Sequence, residues 1–148
     1  MGMKEPEYRK VTYDLTMAAA HAVLRQNPTN ASGGMTFIYV SGAGTDSSER
    51  GRVMWARVKG ATENALLARG FKAAYMFRPG GIVPLDGITS KTALYRVIYK
   101  MLKPVLPLLL RFPQYVTTTE QVGRAMLAVA KHGYPKQVLE AADIARIG

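Results

Sequence analysis

Residues 37–67 read FIYVSGAGTDSSERGRVMWARVKGATENALL, and the order of textures along this stretch decides the fold class. Residues 35–40 form an unbroken apolar, β-prone run bounded by glycines on both sides. Continuous rather than alternating hydrophobicity is expected of a parallel strand covered on both faces. The glycine-, serine- and aspartate-rich segment 41–51 predicts a loop. A helix is expected from about Arg52 to Leu67. Strand, loop and helix in that order make the opening of a βαβ unit.

On the N-terminal side, Pro6 suits a first helical turn, because its missing N–H has no intrahelical partner there. A helix is predicted to run to about Arg25, burying the stripe Val11, Leu15, Ala18 and Ala22, with Leu24 as a further candidate. Asn27-Pro28 then stops it, and TNASGG is a loop. On the C-terminal side, residues 73–77 (AAYMF) predict a short strand that ends in a turn at Arg78-Pro79-Gly80-Gly81. Residues 90–111 suggest a basic amphipathic helix redirected by Pro104 and Pro107. Thr119 is the expected N-cap of a helix to Lys131, closed by His132-Gly133. Residues 137–140 predict one last strand. Helix and strand alternate, which implies right-handed crossovers and a parallel sheet. The expectation is one α/β domain over residues 1–148, with a partial Rossmann-like sheet of about three strands. A full doubly wound sheet has five or more strands.

Four blocks carry a family resemblance: YVSGAGTDSS, WARVKGATENALL, YMFRPGGIVP and VTTTEQVGRAMLAVA. In this order and at these spacings the chain resembles the atypical short-chain dehydrogenases, including bacterial NAD-dependent epimerase-like proteins. The likeness spans nearly the whole chain and corresponds to the C-terminal part of such a domain. It implies an NAD(P)-binding Rossmann-type oxidoreductase or epimerase. The family's serine, tyrosine and lysine then correspond to Ser41, Trp55 and Lys59, which are the candidate catalytic positions. Lys59 would also hold the nicotinamide ribose, and Arg78, Pro79 and Gly80 would lie near the nicotinamide, so these four are the cofactor-binding candidates.

Two departures bear on the chemistry. General acid/base catalysis needs a group whose pKa can approach the operating pH, and an indole N–H is a donor only. Trp55 can hold an aromatic position but cannot shuttle a proton. Ser41 is followed by Gly42, where many family members carry consecutive serines. In addition, the family's phosphate-binding turn, Gly-x-x-Gly-x-x-Gly, is absent from the 148 residues. Gly42-x-Gly44 does follow a strand, but a third glycine does not fall at the required spacing. The resemblance therefore predicts that the first strands of the full fold are lacking and that activity is impaired or lost in this form. Cofactor binding, if any, would be to NAD or NADP. The alternative is a non-catalytic binding or regulatory module that uses a basic face for a partner or an anionic ligand.

Composition limits the remaining classes. The chain has no cysteine, which excludes disulfides and thiolate metal sites, and His21 and His132 lack ligand spacing, so no metal is expected. Asp14, Asp46 and Glu63 are too scattered in sequence to form a carboxylate pair. The net charge is +10. Arg50, Arg52, Arg57 and Lys59 surround the motif, and Lys91, Arg96, Lys100, Lys103 and Arg111 lie in a stretch without acids. Charge without a recognition motif carries no base specificity, so nucleic acid is not the expected partner. The 90–111 segment suits an anionic membrane surface or a cover over a substrate pocket, and the cover is the expectation. With no secretory segment and no long apolar run, a cytoplasmic protein is expected. The 35–40 strand would have one unpaired edge, which predicts a homo-oligomer or a partner chain covering it.

Overall fold

The structure, a computed structural model, describes residues 2–26, 34–83 and 116–148. The elements in chain order are α1 (Glu5–Arg9), a π-turn (Lys10–Asp14), α2 (Leu15–Gln26), β1 (Thr36–Val40), α3 (Met54–Leu67), β2 (Ala73–Arg78) and β3 (Gly81–Val83). They continue with β4 (Val116–Thr118), α4 (Thr119–His132), β5 (Val138–Glu140) and α5 (Ala141–Ile147). The three strands expected from sequence form a single parallel sheet in the order β1-β2-β5, flanked by helices. The α/β class and the partial Rossmann-like sheet are thus as expected. The basic segment 90–111 and the loop after α2 lie outside the described residues. No helix among the described residues is long and apolar enough to cross a membrane.

The chain divides into two compact units, Met1–Arg78 with Gly133–Leu139, and Pro79–His132 with Glu140–Gly148. In the first unit, β1 and β2 run parallel with Phe37 beside Ala74 and Tyr39 beside Met76. Alternation along a strand sends these four side chains to one face. There they meet Met17 and Ala20 of α2 and Leu66 of α3 in the main apolar cluster. Phe37 stacks on Phe71 with ring centroids 4.7 Å apart. Met76 and Leu66 are fully buried, each worth about 1.5–3 kcal/mol relative to exposure. On the opposite face of β2, the Tyr75 hydroxyl accepts a hydrogen bond from the Tyr134 amide at 2.9 Å.

Two expectations about burial are corrected. β1 is half-buried from Thr36 to Tyr39 and exposed at Val40, while β2 is buried from Ala74 to Arg78. Both runs are apolar, but β2 is the central strand and β1 an edge of the described sheet, so only β2 is enclosed by neighbours. In the N-terminal helix, the predicted stripe faces outward: Val11 is 51% exposed and Leu15 65%. The core side is Tyr13, Met17 and Ala20 instead. Two apolar stripes run along this segment, and periodicity alone could not rank them. The π-turn adds a residue to one turn and so rotates the downstream residues about the helix axis.

In the second unit, β3 and β4 form a parallel pair with Ile82 beside Thr117, and α4 and α5 pack with β4. Val122, Ala125, Val129 and Ile144 supply its apolar interior. The cap of α4 is Thr118 rather than Thr119. Its hydroxyl accepts from the Gln121 amide at 3.1 Å, and the Gln121 side chain accepts from the Thr118 amide at 2.9 Å. The spacing Thr-x-x-Gln selects Thr118 among the consecutive threonines. Gly133, at φ 71°, ends the helix as expected. Neither the β3–β4 pair nor α5 was legible in sequence, because segments this short carry almost no periodicity.

Candidate functional site

The loop after β1 is built on its own backbone chemistry. Gly42 and Gly44 take positive φ values of 112° and 80°, which only glycine adopts without strain. The Asp46 carboxylate then organises the turn. It accepts from the Ser48 hydroxyl at 2.6 Å, the Gly51 amide at 2.6 Å and the Ser48 amide at 3.0 Å. These bonds, the Ser48 hydroxyl first, hold the Asp46 carboxyl below its ordinary pKa.

The same loop lies directly on α3. The Asp46 amide donates to the Ala56 carbonyl at 3.1 Å. A Cβ on Gly60 would overlap the Asp46 carbonyl oxygen outright. Asn64 donates to the Ser47 carbonyl at 2.9 Å and to the Glu49 carboxylate at 2.7 Å. Loop residues 46–49 are thereby tied to α3, and α3 starts at Met54 rather than the expected Arg52.

At the carboxyl ends of β1 and β2, the fold brings Ser41, Lys59, Glu63 and Arg78 together. Ser41 is buried, its amide donating to the Phe77 carbonyl at 2.9 Å. Its hydroxyl donates to Glu63 Oε1, with the Phe77 carbonyl 3.2 Å away. Glu63 is fully buried. Arg78 Nε donates to Glu63 Oε1 at 3.0 Å, a second guanidinium nitrogen donates to Oε2, and that nitrogen also reaches the Ser47 hydroxyl at 2.5 Å. A buried carboxylate is tolerated only with such pairing. The Ser41 hydroxyl and the Arg78 guanidinium are therefore both engaged within the protein.

Lys59, one turn before Glu63, is half-buried and its Nζ donates to the Ser41 carbonyl. The ammonium also stands 5.6 Å from the Trp55 ring centroid. Burial pushes the Lys59 pKa below its ordinary value, against the opposing pull of Glu63. Trp55 is 39% exposed, and its ring edge lies against Gly44. Tyr39 is held above its ordinary pKa by burial, against the effect of its hydrogen bond with Thr62.

Ser41, Trp55, Lys59 and Arg78 of the predicted set thus converge in the first unit. Pro79 and Gly80 come directly after in sequence but belong to the second unit, Pro79 being buried and Gly80 half-buried. The residues that sequence reasoning missed are Glu63, Ser47 and Gly60. For Glu63 and Gly60 the signal was present on the helix: Lys59, Gly60 and Glu63 lie about one turn apart, so they share a flank of α3. Scattered spacing in sequence hid the fact that Glu63 pairs with an arginine rather than with another acid.

As a receptor for a nicotinamide dinucleotide, these residues fit in part. Lys59 has N–H donors to spare for a ribose, whereas Nε and one terminal nitrogen of Arg78 are engaged by Glu63 and Ser47. No protein-family profile matches the chain, and no curated protein does.

Proposed function

We propose that this chain is an atypical short-chain dehydrogenase-like module, of NAD(P)-dependent oxidoreductase or epimerase ancestry, that does not perform the proton transfer of that chemistry. The carrying observation is the state of the serine and tyrosine positions. The Ser41 hydroxyl is buried on the Glu63 carboxylate, and the tyrosine position holds Trp55, which has no transferable proton. What remains is a ligand face at the carboxyl end of β1, with Lys59 as its only proposed cofactor contact. Ligands of parallel α/β sheets bind at that end of the strands.

Titration with NADPH and NADH by calorimetry tests the reading. Saturable binding that Lys59→Ala abolishes supports a retained cofactor contact. Absence of binding at millimolar ligand supports the second reading, a non-catalytic module that recognises an anionic ligand or partner through its basic face. The commitment of Arg78 and Ser41 to internal bonds favours that second reading over any catalytic one. A homo-oligomer or partner chain on the open edge of β1 belongs to either.

A further inference from the structure

Lys59 is a half-buried cation in search of an anion. An ammonium has three N–H donors, and among the described residues only the bond to the Ser41 carbonyl uses one. Among the described residues no carboxylate pairs with it. Glu63, the acid one turn away, is taken by Ser41 and Arg78. A cation withdrawn from water without a counterion is in an unfavourable state that an incoming anion relieves.

The ammonium stands over the ring of Trp55, 5.6 Å from its centroid, and that indole is partly open to solvent. The exposed arginines Arg50 and Arg52 precede the same helix and add a positive field that draws anions in. A flat apolar wall next to one under-used ammonium matches a flat ligand with one charge. A phosphate would call for more donors than Lys59 offers, and the Arg78 guanidinium is already engaged by Glu63 and Ser47. A neutral ring would leave the ammonium without a counterion.

We infer that Trp55 and Lys59 form the receptor for a planar aromatic carboxylate, whose ring lies on the indole and whose oxyanion takes the two open N–H donors of Lys59. The inference rests on the proposed reading of this end of the sheet as a ligand face, and it names the class of ligand that the face takes. Binding holds Lys59 in its charged form, so affinity falls as alkaline pH removes the proton from Lys59.

Trp55 is the only tryptophan of the chain, so intrinsic fluorescence reports on this site alone. The probes are nicotinate (a planar ring acid), nicotinamide (the same ring without charge) and acetate (the charge without a ring). Nicotinate is expected to quench saturably, with an affinity at least about tenfold above both comparators. Lys59→Met should lose about tenfold in nicotinate affinity, Lys59→Arg should retain most of it, and the exposed-site control Lys72→Met should change nothing. Circular dichroism checks that each variant is folded. If Lys59→Met does not fold, the pH titration of the natural protein decides: unchanged nicotinate affinity across the Lys59 titration overturns the inference. Linear quenching of equal slope by nicotinate and nicotinamide overturns it as well.

NADPH calorimetry on the same sample separates the two ligands. Nicotinate binding without NADPH binding removes the dinucleotide reading alone. NADPH binding without nicotinate binding removes the aromatic-carboxylate receptor alone.

Discussion

The Glu63 carboxylate, fully buried on α3, is gripped through both oxygens by Arg78 at the end of β2. This pair ties the crossover helix to the central strand, and the Ser41 hydroxyl ties the edge strand to both. Removing one partner of such a pair leaves an uncompensated buried charge. Arg78→Met is expected to cost about 3–5 kcal/mol of unfolding free energy. The double variant Arg78→Met, Glu63→Leu should recover part of that loss. Urea denaturation measures both, and a single-variant loss below about 1 kcal/mol would contradict the pairing as described.

Gly60 should resist replacement even by the best helix former. On propensity alone, Gly60→Ala would gain about 1 kcal/mol in a helix interior. The added methyl group collides with the Asp46 backbone carbonyl, so the loop must shift away from α3. A net loss of about 1–3 kcal/mol is expected, as for overpacking elsewhere. A stabilised Gly60→Ala variant in thermal melts would mean that the loop does not seat on the helix.

The orientation of the N-terminal helix is open to a direct comparison. Leu15→Lys, at an exposed position, should change stability by no more than about 0.5 kcal/mol. Met17→Ala, in the main apolar cluster, should cost about 2–5 kcal/mol. The reverse ranking in denaturant titrations would restore the stripe that periodicity suggested.

Two groups set opposite ends of the pH profile. Asp46 has a folded pKa below its ordinary value of 3.8, so its contribution is present above 3.8 and is lost as pH falls through the folded value. Asp46→Asn should therefore narrow its stability deficit against the natural protein in acid. Lys59 has a folded pKa below its ordinary 10.5. The unfolded chain binds more protons in that window, so the cost of burying charged Lys59 is full below the folded pKa and is relieved as pH rises towards 10.5. The stability of the natural protein relative to Lys59→Met should rise with pH there. A flat difference curve in that range would sink the assignment.

The edge of β1 that is unpaired among the described residues predicts self-association or capture of a partner strand. Sedimentation velocity at increasing concentration should show species larger than the monomer. Val40→Lys, at an exposed position of that edge strand, should reduce them without loss of stability, since edge lysines block strand pairing. A monomer at all concentrations would exclude the second copy as occupant.

The strand at 36–40, the helix after it, the strand at 73–78 and the helix from 119 were all legible from local pattern, because each carries enough periodicity or turn chemistry to declare itself. So was the helix end at Gly133. The face of α2 that enters the core was not legible, because two apolar stripes competed and a π-turn changed their phase. Nor was the difference between β1 and β2, whose compositions are alike. Sheet order alone makes one an edge and the other central.

The site shows the same division. Residue types placed Ser41, Trp55 and Lys59 on one strand–loop–helix unit and showed that Trp55 cannot transfer a proton. Only the tertiary structure brought Glu63 beneath Ser41 and closed Arg78 onto it, joining residues that are 22 and 15 positions apart. Such contacts depend on how a helix is rotated over its sheet. That rotation is settled by the sum of packing around it, which no local stretch of sequence contains.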